Sequence, residues 1–127
     1  LSVTGFSALL EAAADAIVII NQSGDILNFN AAAENLFGFS FREVRDQNVS
    51  MLMPEPYHSE HDGYIRNYVT TGDARIIGIG RRVEAMRKDG SVFPMELSVG
   101  EYQEAGHQYF IGIIRDLSER EQAEREL

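Results

Sequence analysis

Two side chains near the middle of the chain have types and surroundings that could support chemistry, His61 and Arg81. His61 shares one face of a predicted helix with Tyr64, Ile65 and Tyr68, by the i, i+3, i+4, i+7 rule. An imidazole on such a face is either a core histidine with one hydrogen bond or a metal ligand. Arg81 lies in a predicted strand of alternating apolar residues, where a buried guanidinium needs a negative partner. That partner is either one of the 20 acidic residues or an anionic group of a bound ligand.

Other kinds of reactive site are poorly supported. His58 and His61 are three residues apart and Asp62 follows, a spacing that can bind zinc, but the sequence fixes no further ligand because His107 lies in a distant turn. The chain has no paired-carboxylate motif on a helix and no cysteine nucleophile. Gly78 and Gly80 precede a strand, whereas a phosphate-binding loop precedes a helix. We therefore expect this domain not to be an enzyme.

Composition restricts the class of protein further. The 127 residues correspond to one domain, and 44% of them are hydrophobic, an ordinary globular share. The net charge of −9 disfavours binding to nucleic acid or to anionic membranes, and no run of about 18 apolar residues could span a bilayer. The absence of cysteine excludes disulfides and thiolate metal sites, and is consistent with a cytoplasmic location. We expect the chain to be a fragment of a longer protein.

The first half of the chain predicts short strands followed by helices. An apolar stripe over 6–13 predicts a helix, and β-branched residues over 16–20 and 26–29 predict a hairpin around the turn 21–25. Asn30 is a suitable N-cap for a helix that ends at Gly38, and Ser40 with Glu43 forms a capping box for the next helix. Two prolines within 51–56 interrupt any helix there, and 57–71 is the longest helical candidate.

The last third of the chain predicts three strands and a terminal helix. Alternating apolar residues mark strands over 77–85, 93–99 and 110–114, with turns at 88–90 and 104–106. Ser118 and Glu121 have the spacing of a second capping box at the start of a charged helix. Gly112 interrupts the last strand, either as a bend in the sheet or to leave room for a flat ring. The predicted fold is α+β, with one antiparallel sheet and helices on one side.

Three sequence runs resemble PAS domains: DAIVII at 15–20, NAAAENLFG at 30–38 and RKDGSVFPMELS at 87–98. The resemblance implies the PAS fold, a five-stranded antiparallel sheet that holds a ligand pocket against short helices and one longer helix. It also implies a single PAS sensor domain over residues 1–127. In that layout 1–14 is an N-terminal helix, 15–116 is the PAS core, and 117–127 begins a C-terminal signalling helix.

A narrower resemblance points to the haem-binding oxygen-sensor PAS domains of the FixL family. It rests on MPEP at 53–56, HDGYI at 61–65 and IIGIGR at 76–81. It implies haem b with His61 as the iron ligand and with Arg81 in contact with bound oxygen. The family holds the haem propionates with two basic residues: one matches Arg75, whereas the other matches Asn67, which is not basic but lies next to Arg66. The candidate cofactor-binding residues are His61, Tyr64, Arg75, Ile76, Arg81, Leu97, Val99, Phe110 and Gly112.

The resemblance leads to two functional hypotheses. In the first, the domain senses oxygen, carbon monoxide or nitric oxide within a two-component signal-transduction protein. A histidine kinase output domain would then lie elsewhere in the same chain, and the terminal helices would form a homodimer. In the second, the domain is a PAS module without haem that serves dimerisation, signal relay or the binding of another small ligand.

Overall fold

The computed structural model describes residues 14–54 and 81–126. The elements in chain order are β1 (Ala16–Asn21), β2 (Ile26–Phe29), α1 (Ala31–Phe37), α2 (Phe41–Val44), a 3₁₀ helix (Val49–Leu52), β3 (Arg81–Met86), β4 (Val92–Glu104), β5 (His107–Asp116) and α3 (Ser118–Arg125). Residues 1–13 of the predicted N-terminal helix and the helix predicted over 57–71 lie outside the described residues, as does the 77–80 part of a predicted strand. None of the described helices is long and apolar enough to cross a membrane.

The five strands form one antiparallel sheet in the order β2-β1-β5-β4-β3. Hairpins join β1 to β2, β3 to β4 and β4 to β5, while the pairing of β1 with β5 connects the two halves of the chain. The predicted α+β architecture with a single antiparallel sheet is therefore confirmed.

The core lies between one face of the sheet, here called the inner face, and the short helices. Strand alternation places every second residue on this face. Phe37 of α1 is fully buried, and its ring lies 5.8 Å from that of Phe29 and 5.7 Å from that of Phe93. The core also contains these buried hydrophobic residues from both layers: Ala16, Val18, Ile20, Ile26, Ala33, Val44, Val49, Leu52, Ala85, Met95, Phe110 and Ile114.

Local sequence signals determine the ends of the first two helices. The Asn30 side chain accepts a hydrogen bond from the Ala33 backbone N–H, as an N-cap should. Gly38 ends α1 in the left-handed conformation, with φ of 83°. Both hydrogen bonds of the Ser40–Glu43 capping box are present at the start of α2. These three predictions are confirmed because each depends on residues no more than four positions apart.

One predicted capping box is wrong, and the last strand has no β-bulge at Gly112. Ser118 is the first residue of α3, and Leu117 precedes it as an N-cap that makes no side-chain hydrogen bond. The Asp116 carboxylate accepts a hydrogen bond from the Ser118 N–H instead, while the Glu121 carboxylate accepts one from Arg82 of β3. Gly112 stays in continuous register with Val18 and Val99, so the strand is not bulged there; the irregularity lies between Ile19 and Ile20.

Candidate functional site

Four of the predicted cofactor-binding residues form one patch on the inner face of β4 and β5. This patch, here called the inner wall, consists of Leu97, Val99, Phe110 and Gly112. Val99 pairs with Gly112 across the two strands, and Phe110 lies two residues before Gly112. Phe110 is buried, whereas Leu97, Val99 and Gly112 are half-buried. The structure therefore brings these four residues together, as the sequence predicted, on a surface that only partly packs into the core.

The inner wall has space for a small side chain at Gly112. A Cβ atom built on Gly112 would lie 3.5 Å from Leu97 Cδ1 and 3.7 Å from the Val18 carbonyl oxygen, both ordinary contact distances. A methyl group would therefore fit, whereas a longer side chain would have to displace Leu97 or cover the wall. Glycine keeps this part of the wall flat.

The remaining predicted site residues fall mostly outside the described part of the chain. His61, Tyr64, Arg75 and Ile76 lie in the range 55–80, as does His58. Arg81 begins β3, and its backbone pairs with that of Leu97. The register therefore places Arg81 next to the inner wall, although it does not establish what its side chain contacts.

The inner wall suits a flat, apolar cofactor. Apart from backbone atoms, its four residues present only carbon and hydrogen, and a porphyrin face requires dispersion contacts rather than hydrogen bonds. Within 14–54 and 81–126, no group of three His, Cys, Asp or Glu residues is arranged to hold a metal ion. The iron ligand that the sequence predicts, His61, lies outside those ranges. The described residues thus fit the ring of haem and leave the iron ligand as a prediction.

A second set of contacts surrounds the point where the chain leaves the sheet. The Leu117 N–H donates to the Pro94 carbonyl oxygen at 3.0 Å, and the Leu117 side chain is almost fully buried. Asp116 Oδ1 accepts from the Ser118 N–H at 2.8 Å. We call Asp116, Leu117 and Ser118 the exit segment. It is anchored to β4 by a backbone hydrogen bond and by burial of Leu117.

Arg87, at the end of the β3–β4 hairpin, connects three parts of the fold. Its Nε donates to the Leu36 carbonyl oxygen at 3.2 Å, and its guanidinium carbon lies 4.2 Å from the centre of the Phe93 ring. Its Nη2 also lies 3.8 Å from Asp116 Oδ2. Arg87 therefore connects α1 and the hairpin to the exit segment.

Arg82 makes a two-pronged contact with the terminal helix. Its Nε donates to Glu121 Oε2 at 2.7 Å and its Nη2 to Glu121 Oε1 at 3.0 Å. This hydrogen-bonded arginine holds the pKa of the Glu121 carboxyl below its usual range. The sequence analysis assigned Glu121 to a capping box and gave Arg82 no role, so it did not predict this contact. Strand alternation could have placed Arg82 on the outer face of the sheet, but no local signal identifies a partner 39 residues away.

Two sensor proteins are similar to this chain along most of its length. It is 49% identical to the Sensor protein FixL of Bradyrhizobium diazoefficiens over 124 residues, which cover 98% of this chain and 25% of that protein. It is 34% identical to the Oxygen sensor protein DosP of Escherichia coli over 101 residues, covering 80% of this chain and 13% of that protein. The chain thus spans a quarter or less of the length of these relatives.

The fold is also found in solved structures and in a family model. The crystal structure of a PAS domain from Colwellia psychrerythraea matches with a TM-score of 0.75 at 23% identity, covering 92% of this chain and 98% of that one. At that identity, the likeness concerns the fold alone. The family model described as the PAS fold matches residues 5–117, nearly the whole of the 127-residue chain. Together with the observed sheet and short helices, this match establishes that the chain belongs to the PAS family.

Proposed function

We propose that this domain is a haem-based sensor of oxygen, or of carbon monoxide or nitric oxide, within a signal-transduction protein. As a PAS domain it is a sensory module, and it is not itself the catalytic unit. The proposal is supported by the FixL-like motifs at 53–56, 61–65 and 76–81, by the 49% identity to FixL, and by the similarity to an oxygen sensor protein.

The structural observation that carries the proposal is the inner wall. A wall of aliphatic side chains around a glycine, half-buried and next to Arg81 in the sheet register, suits a flat apolar ring. A surface of this kind costs free energy when it faces water, at about 25 cal/mol per Å² of apolar area. Covering it with a bound ring would recover that free energy.

We assign roles to individual residues on this basis. Haem b would supply the iron that binds the gas, and His61 would be its protein ligand. Leu97, Val99 and Gly112 would exclude water from the side of the ring that they face. The Arg81 guanidinium stays charged at physiological pH, so it would pair with a haem propionate in one state and donate a hydrogen bond to the bound gas in the other. Tyr64, Ile76 and Phe110 would contribute packing, and Arg75 would pair with a propionate.

The setting of the domain in a larger protein is part of the proposal. We propose that 15–116 is the sensor core, that 1–14 and 117–127 flank it, and that these flanking segments form a homodimer. The output domain would be a histidine kinase in the same protein, outside residues 1–127, in the cytoplasm. Its activity would depend on how the C-terminal helix is held, because that helix leads out of the sensor.

The test is the absorption spectrum of the purified domain, as isolated and after titration with hemin. The wild-type domain should give a sharp Soret band that shifts on reduction and shifts again with carbon monoxide or oxygen. His61→Ala should lose the band or retain only weak, nonspecific absorption, because the iron loses its protein ligand.

Two histidine variants serve as matched controls. His107→Ala removes an exposed histidine at the start of β5, and His58→Ala removes the histidine three residues before His61 in the sequence. Both should keep the wild-type spectrum. If the wild-type domain gives no Soret band under any condition, the haem function is wrong. The domain would then be a PAS module for dimerisation, relay or another small ligand.

A further inference from the structure

The contact between Arg82 and Glu121 joins the strand that begins at Arg81 to the helix that leaves the domain. Two guanidinium nitrogens of Arg82, Nε and Nη2, donate to the two oxygens of one carboxylate at 2.7 and 3.0 Å, an arrangement that fixes orientation as well as distance. The Glu121 side chain is only 20% exposed, whereas that of Arg82 is 51% exposed. The carboxylate is thus held in place on the helix, with the arginine reaching it from β3.

Arg82 directly follows the residue that we propose to respond to the gas. In β3, Arg81 pairs with Leu97 beside the inner wall, and Arg82 pairs with Glu96. Val83 and Ala85 pack against the core, so the alternation of a strand places Arg82 on the outer face. Adjacent residues of one strand share a rigid peptide unit, so a displacement of Arg81 also displaces Arg82.

Among the described residues, contacts from two different strands hold the terminal helix α3. Its start is tied to β4, because the Leu117 N–H donates to the Pro94 carbonyl oxygen. One turn later, Glu121 is tied to β3 through Arg82. A helix fixed at two points changes its direction when one strand moves relative to the other. The structure thus provides a way for movement of β3 to turn α3.

The sequence pattern led us to expect a different role for Glu121. Its spacing from Ser118 is that of a capping box, which would keep the carboxylate on its own helix. In the structure the Asp116 carboxylate accepts a hydrogen bond from the Ser118 N–H, and the Glu121 carboxylate accepts hydrogen bonds from Arg82 of β3. The helix therefore uses this carboxylate for a contact with the sheet.

We infer that Arg82 and Glu121 are positioning residues that transmit a gas-dependent displacement of β3 to the exit helix α3. This inference rests on the proposed sensor function, because the displacement begins at Arg81. The coupling acts in both directions. If gas binding changes the equilibrium between held and released α3 by a given factor, then releasing α3 must change gas affinity by the same factor.

The first experiment measures the contact itself, by amide hydrogen exchange over residues 118–126. Arg82→Gln should speed exchange in α3 on the order of 5-fold while leaving β5 unchanged, since it breaks the tie between Glu121 and β3. The charge-reversed pair Arg82→Glu with Glu121→Arg should restore slow exchange to within about 2-fold of wild type. Arg120→Gln is the matched control, because it removes the Arg120–Glu124 ion pair within α3, which does not reach the sheet.

The second experiment measures coupling to the gas in hemin-loaded, reduced protein. Carbon monoxide should change α3 exchange in the wild type and not in Arg82→Gln, and Arg82→Gln should shift carbon monoxide affinity by at least about 3-fold. In Arg120→Gln, the response of α3 exchange to carbon monoxide and the carbon monoxide affinity should both equal those of the wild type. An ion pair with a merely structural role would alter exchange without altering gas affinity.

The outcomes separate this inference from the sensor function. A normal Soret band with unchanged gas affinity in Arg82→Gln overturns the inference and leaves the haem function intact. Equal α3 exchange in wild type and Arg82→Gln also overturns it, because the contact then holds nothing in solution. A wild-type domain without a Soret band overturns both.

Discussion

At the scale of single residues, Asn30 organises the start of the fold through its side chain. Its Oδ1 accepts from the Ile17 N–H at 2.9 Å and from the Ala33 N–H at 3.0 Å, while its Nδ2 donates to the Asp15 carbonyl oxygen at 3.1 Å. The side chain is almost completely buried. One asparagine therefore caps α1 and also holds the beginning of β1 against it.

We predict that Asn30→Ala lowers the free energy of unfolding by roughly 2–4 kcal/mol, because it removes a cap and leaves buried backbone groups unsatisfied. Urea denaturation should show a lower midpoint with an unchanged m-value. Asn35→Ala is the control on the same helix, at an exposed position, and should cost nothing measurable. Equal midpoints for the two variants would show that the buried hydrogen bonds contribute little.

Gly112 is the residue at which the ring-binding proposal can be tested within the described structure. Gly112→Ala should bind hemin within about 3-fold of wild type, since its methyl group would make only ordinary contacts with Leu97 and Val18. Gly112→Leu should weaken binding by about 10-fold or more, because the longer side chain covers the wall. The measurement is a hemin titration followed by absorbance.

The control for Gly112 places the same side chain at another glycine of the sheet. Gly100 is exposed on β4, and a Cβ there would meet no atom within 4 Å. Gly100→Leu should therefore bind hemin like the wild type. Unchanged binding by a folded Gly112→Leu would contradict the assignment of the ring to the inner wall.

At the scale of elements, the β3–β4 hairpin fixes β4, which carries Leu97 and Val99 of the inner wall, and β3, which begins at Arg81. Its turn closes with the Arg87 N–H donating to the Ser91 carbonyl oxygen at 2.9 Å, and Gly90 has φ of 88°. The Lys88 N–H donates to the Phe37 carbonyl oxygen, and the Lys88 ammonium pairs with Glu43. The turn is thus tied to α1 and α2 as well as to its own strands.

We predict that Gly90→Ala destabilises the domain by about 1 kcal/mol, because an L-residue is strained in the left-handed region. No heavy atom lies within 4 Å of the added Cβ, so crowding does not contribute. Gly100→Ala is the matched control: it also has open space and no positive φ, so it should be neutral or stabilising by up to about 0.5 kcal/mol. Thermal unfolding of both variants measures the difference, and equal melting temperatures would contradict the role of strain.

At the scale of the whole molecule, the hold of the sheet on α3 depends on pH through the ion pair of Arg82 with Glu121. Hydrogen bonding to Arg82 lowers the pKa of Glu121 from its ordinary value of 4.5, and the charges of Arg82, Arg125 and Arg120 lower it further. A carboxyl whose pKa is lower in the folded state stabilises that state above its unfolded pKa. The stabilisation is lost as the pH falls through the lowered value.

We therefore predict constant protection of the α3 amides between pH 7 and about pH 5, and a loss of protection below the ordinary glutamate pKa. Glu121→Gln should show weak protection already at pH 7 and no further step that depends on this residue. Glu43, whose pKa is also lowered, chiefly by hydrogen bonding to Lys88, provides the control. Glu43→Gln should keep the acid-dependent step in α3, and protection in β5 reports any general acid unfolding.

High salt should act in the same direction as acid, because Arg82 is half exposed and its charge is screened by added ions. Protection of α3 that is independent of both salt and pH would show that burial of Leu117, rather than the ion pair, holds the helix.

The sequence alone was sufficient for most of the elements and for the family. The strand alternation, the Asn30 cap, the Ser40–Glu43 box and the glycine turns act through residues close in the chain, so their patterns are visible without a fold. The resemblance to PAS domains also predicted the five-stranded antiparallel sheet. The assignments of His61 and Arg81 also come from motif resemblance, and they remain predictions.

Only the tertiary structure decided which distant groups meet. The cross-strand register, the flat inner wall around Gly112 and the contact of Arg82 with Glu121 depend on pairings across tens of residues. The charged residues near the C-terminus offer Arg82 several possible carboxylates, and nothing in their order distinguishes Glu121. The exit of β5 and the backbone bond from Leu117 to Pro94 bring that carboxylate within reach. Chain geometry therefore selected a long-range partner over the capping role that local spacing had favoured.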